Sequence, residues 1–80
     1  MSEAYEHPLT FGEKACGVAF NPGGDSMVHA IKTKYAELVD VLHALRMSND
    51  NPEIARMISI AITEAQTSQM WAVKAITWKP

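Results

Sequence analysis

Met47 to Pro52, "MSNDNP", breaks one long run of helical periodicity into two. Short polar side chains such as those of Ser48, Asn49 and Asp50 compete with the backbone for hydrogen bonds and end a helix. Pro52 lacks an amide proton that the first turn of a new helix would leave unpaired, and Asn51 before it is a suitable cap. The segment therefore predicts a reversal between two helices.

Working back from it, apolar residues fall at Val28, Ile31, Tyr35, Leu38, Leu42 and Leu45, in alternating steps of three and four. This predicts a stripe along roughly 35 Å of helix. Lys34, Glu37 and Arg46 mark the opposite, solvated face, with Lys32 and Asp40 at its flanks. Asp25 is the expected N-cap, its carboxylate facing the positive end of the helix dipole. Working forward, a second helix is predicted over Pro52 to Ile76, with its stripe at Ile54, Ile58, Ala61, Ala65, Ala72 and Ile76. Met57, Ile60, Ile62, Met70, Trp71 and Val73 lie outside that stripe. A helix apolar over so much of its circumference needs cover on more than one side. The expected architecture is all-α: an N-terminal arm and turn over 1–24, then a hairpin of two long antiparallel helices over 25–80, assembled as a homo-oligomer. Pro8, Pro22 and all four glycines fall in the arm, leaving room for a short helix near Gly12 to Cys16.

Composition narrows the function. Eighty residues make one domain near the lower size limit for an adequate core, which again points to association between copies. A content of 48% apolar and 20% charged residues excludes a disordered chain. The formal net charge of −2 excludes broad electrostatic binding to duplex DNA, which requires clustered Lys and Arg. Cys16 stands alone, so no intrachain disulfide forms, and it reads as a small semi-buried residue. The N-terminus has neither a basic start nor an apolar run, and no window approaches a membrane span. The expectation is a soluble intracellular protein without membrane contact.

Two readings of "FNPGGDS", Phe20 to Ser26, stand side by side. In one it is a turn that starts the helix, with Phe20 stapled onto it. In the other, Phe20 with Asn21 beside it offers a ring to a planar ligand that the glycines allow to come close. Lys32, two turns on, would supply a point charge to a phosphate held near that ring. His29 lies one turn earlier. Cys16, His7, His29 and His43 lack the spacing of a metal site, so no metal and no cofactor are expected. His43 and Asp40 are helical neighbours without a nucleophile placed by motif. Ser59, Thr63, Thr67 and Ser68 read as helix contacts, and the sequence predicts no enzyme.

"GDSMVHAIKTKYAELVDVLHAL" and "ARMISIAITEAQTSQMWAVKAITWKP" together resemble the hairpin domain of phage anti-defence sponges, the family that includes anti-CBASS protein two and Thoeris anti-defence protein one. The similarity covers Phe20 to Lys79, with "AIK" and "QMWAVKAI" as its clearest marks. The resemblance implies a small helical protein, commonly hexameric, that sequesters cyclic di- or trinucleotide immune messengers in the cytoplasm of an infected or lysogenic bacterium. It implies that Lys32 meets the phosphodiester and that Phe20, where the family usually has a tyrosine, stacks on a base. A second pocket in the family uses an arginine at the position of Ile62, beside a matching Thr63, so Thr63 is the candidate for a second ligand site and Arg56 the nearest substitute cation. The competing reading is a phage or prophage helical protein that binds a protein partner through Trp71 and Trp78.

Overall fold

In a computed structural model that describes residues 7–80, each helix begins where a side chain can take the first free amides. Thr10 accepts from the Glu13 amide while the Glu13 carboxylate accepts from the Thr10 amide, a reciprocal box that starts α1, Phe11–Ala15. The hydrogen bond from the Thr10 amide holds the Glu13 carboxyl below its ordinary pKa. Asp25 accepts from Met27 and Val28 to start α2, Ser26–Met47. Asn51 accepts from Glu53 and Ile54 to start α3, Pro52–Ile76, with Pro52 in its first turn. The predicted caps and the reversal after Met47 are therefore present. Residues 1–6 of the expected arm lie outside the described residues.

α3 folds back along α2, and two cross-links fix the antiparallel register: Arg46 donates to the Ser59 hydroxyl at 3.0 Å, and the Tyr35 and Ser68 hydroxyls share a hydrogen bond. Val39 is completely buried at the centre, packed with Ala36 from α2 and with Ile58, Ile62 and Ala65 from α3. Cys16 and Val18 complete this cluster from the arm. Burial raises the Cys16 thiol pKa, so the residue is an inert small hydrophobe at neutral pH.

The arm is part of the fold. Phe11 stacks on His43 with ring centroids 4.1 Å apart, the Gly12 amide donates to Asp40 at 2.6 Å, and the Gln66 amide donates to the Ala15 carbonyl at 3.0 Å. The arm rotates the buried face of α2 away from the predicted stripe. Leu38 and Leu45 stand in solvent with Val41, whereas Lys32 and Ala36 are buried. The reason is that the arm packs through its backbone, and a backbone carbonyl calls for a small residue or a donor beneath it. In α3 Ile62, placed outside the stripe, belongs to the core, and Ala61, placed on it, is exposed.

α1 and α3 both pack on α2, giving a body of 44 × 33 × 15 Å. No helix among the described residues is long and apolar enough to cross a membrane.

Gly12 is the tightest point of the arm, because a Cβ there would collide with the Ala36 carbonyl oxygen. Gly12→Ala is expected to cost about 1–3 kcal/mol, seen as a melting point lower by several degrees. A melting point equal to the parent's would show that the arm rests loosely on α2.

Candidate functional site

Two glycines in the left-handed region bracket the turn between α1 and α2. Gly17, at φ 62°, ends α1, and Gly24, at φ 64°, delivers the chain to the Asp25 cap. Between them the Phe20 amide donates to the Gly17 carbonyl at 2.9 Å, and the Gly24 amide donates to the Asn21 carbonyl at 2.9 Å. These local bonds shape the turn, but they do not attach it to the hairpin.

Lys32 makes that attachment. Its ammonium donates to the Phe20 carbonyl at 2.5 Å and to the Gly17 carbonyl at 3.2 Å. The sequence reading put Lys32 at the flank of a solvated face, free to meet a phosphate. It is instead only 7% exposed, and burial lowers its pKa from the usual lysine value. The flank was misjudged because the residues it supports are backbone carbonyls, which leave no mark in an apolar pattern.

With its carbonyl held inside, Phe20 projects its side chain outward. The ring is 71% exposed, and the Lys32 ammonium lies 5.5 Å from its centroid. Asn21 turns its amide back to donate to the Asp25 carbonyl at 2.9 Å, so its donor supports the start of α2. Phe20 and Lys32 form a wall shared by two clefts. One, of about 540 Å³, runs between the turn and the end of α3, lined by Asn21, Asp25, Val73, Trp78 and Lys79. The other, of about 700 Å³, runs between α1 and α3, lined by Lys14, Thr63, Gln66, Gln69 and Met70. Besides the shared Lys32, the first cleft is lined by Lys79 and Asp25, while the second has Lys14 and, among the described residues, no carboxylate in its lining.

The structure thus brings Phe20, Asn21 and Lys32 together and places Thr63 across the same wall. It does not bring in the other candidates. His29 is exposed and lines neither cleft. Ile62 lies in the core. Arg56 makes a two-pronged ion pair with Glu53, at 2.6 and 3.2 Å, and lines neither cleft, so it does not take the place of an arginine at position 62. No group of three or more His, Cys, Asp or Glu among the described residues is arranged to hold a metal ion. Gln69 and Gln66 were missed. The available signal was a glutamine seven residues after Ile62, on the same helical face, where the pattern calls for an apolar residue.

The sequence of this turn and of both long helices matches a family model described as Acb2/Tad1, hairpin domain, over residues 14–77. The chain belongs to that family. No curated protein and no solved structure matches it. The Acb2/Tad1 match takes in Gly17, Phe20 and Lys32 as well as the hairpin, and it points to an anti-defence role.

Replacing Lys32 by Ala would strand the Phe20 carbonyl and leave the Gly17 carbonyl with the Phe20 amide alone, at a cost of about 1–3 kcal/mol. Hydrogen exchange is expected to accelerate about tenfold over residues 17–24 while the centre of α3 keeps its protection. Unaltered exchange in the turn would mean that the ammonium does not hold it.

Proposed function

We propose that this chain sequesters cyclic di- or trinucleotide messengers of bacterial anti-phage signalling, binding them without cleaving them, in the cytoplasm of an infected or lysogenic host. The observation that carries the reading is Phe20: an aromatic ring fixed by its own carbonyl, open to solvent, beside a buried ammonium and at the lip of two clefts, in a chain of the Acb2/Tad1 hairpin family. An exposed ring at a positively charged wall suits a base stacked near an anionic phosphodiester. Lys32 acts here through its field and through the position it gives Phe20. Asn21 borders the first cleft, and Thr63 borders the second as the further ligand contact. A sponge works by mass action, so its capacity follows protein abundance as well as affinity.

The site belongs, in this reading, to a homo-oligomer, with a hexamer expected from the resemblance. A body only 15 Å across in its thinnest direction does not bury both faces of its hairpin, and Leu38, Val41, Trp71 and Trp78 are left in solvent. The exposed Trp71 and Trp78, with Lys74 between them and 5.9 Å from the Trp78 ring centroid, also suit a protein partner, which is the competing reading.

Titration calorimetry with cyclic di- and trinucleotides tests the main reading. At least one is expected to bind, and Phe20→Ala is expected to weaken it by about 1–3 kcal/mol with helicity unchanged. Absence of binding across the panel would sink the sponge and leave the protein partner. Bound nucleotide is expected to return intact after heat denaturation; linear products dependent on the protein would reveal an enzyme. Light scattering at micromolar concentration is expected to show a trimer or larger, and a folded monomer would overturn the assembly.

A further inference from the structure

Gln69 is a buried side chain for which the fold has no use. It is 6% exposed, has no hydrogen-bond partner among the described residues, and lines the cleft between α1 and α3 beside Phe20. A primary amide carries two donors and an acceptor, and the Gln69 amide atoms are not sealed inside the protein but reach the cleft surface. Within the hairpin an apolar residue of the same size would serve better. The cleft itself is the direction in which partners remain to be found.

The groups around it define the complement. Thr63 donates its hydroxyl proton back to the Ser59 carbonyl at 3.2 Å, and Thr67 donates to the Thr63 carbonyl at 3.1 Å. Gln66 donates its amide to the Ala15 carbonyl. Each of these three side chains has spent a donor on the protein and keeps an oxygen for whatever enters. Lys14 and Lys32 give the cleft its cations, while Thr63, Gln66 and Thr67 supply neutral acceptors on the α3 side, with Gln69 as the side chain there offering an uncommitted amide. An amide can meet adenine at two points, accepting from the exocyclic amine and donating to a ring nitrogen.

We propose that Gln69 is the base-reading residue of this cleft, selecting a nucleobase with an exocyclic amine, adenine above all, while Phe20 stacks on it. The proposal rests on the cyclic-nucleotide reading and adds to it the identity of the base. Hypoxanthine, which replaces the adenine amine with a carbonyl, loses the contact with the Gln69 oxygen, sets its carbonyl against the acceptors of Thr63, Gln66 and Thr67, and is disfavoured.

The test compares a cyclic dinucleotide bearing two adenines with its hypoxanthine counterpart, on the parent protein, Gln69→Leu and Gln69→Met. The parent is expected to prefer the adenine probe about tenfold. Both variants are expected to lose that preference to within about twofold while still binding, and to melt no lower than the parent because the Gln69 amide makes no hydrogen bond within the described residues. In the parent, the Gln69 side-chain NH₂ resonances are expected to shift with the adenine probe and to stay in place with the hypoxanthine probe, a readout that needs no variant. Equal affinities in the parent, or a preference that survives in Gln69→Leu, would overturn the assignment while leaving the sponge intact. Failure of the adenine probe to bind the parent, when other cyclic nucleotides do bind, would also overturn it. Failure of every cyclic nucleotide would remove the function on which it rests.

Discussion

The Lys32 ammonium, set beneath the Gly17 and Phe20 carbonyls, is the contact on which the rest of the molecule depends. It ties a turn of irregular backbone to the second turn of α2. Cys16 and Val18 close the core from that turn, and both clefts take Lys32 as part of their wall. The cation itself opposes folding. A lysine whose pKa is lowered in the fold is bound more tightly to its proton in the unfolded chain. Its burial therefore weighs against the native state at neutral pH, and that penalty fades as the pH rises through the lowered pKa towards the ordinary one. Two accepting carbonyls offset the charge's lost hydration.

The parts of the fold visible in the sequence are those decided within one or two turns. Asp25, Asn51 and Pro52 announce helix starts because capping uses neighbouring atoms alone. The face of α2 was harder to see. An apolar count favours Leu38 and Leu45, yet the arm covers Lys32, Ala36 and Asp40, since what approaches is a glycine and a pair of carbonyls. Packing against backbone selects donors and small side chains, and a hydrophobic pattern is blind to both. The candidate site was legible for the same local reason that the caps were: Phe20 and Asn21 lie in a glycine-bracketed turn. Gln69 was not, because its neighbours come from three separated segments of the chain.

A division of labour follows between the two sides of the hairpin. One side carries the arm, the buried ammonium and the clefts. The rest of the circumference leaves Leu38, Val41 and Trp71 in solvent on a thin body. None of these three lines a cleft with Lys32, so substitutions in the two sets are expected to act independently in the protomer.

Phe20 is held by an atom that every amino acid possesses. Its carbonyl is the part inside the protein, and its ring is the part outside. Position 20 is therefore free to exchange one side chain for another while the fold continues to see the same peptide unit, in contrast to Gly12 and Lys32, whose side-chain size and charge are read directly by their neighbours. The turn is a socket with an interchangeable tip, on which new recognition can be tried without first securing a new structure.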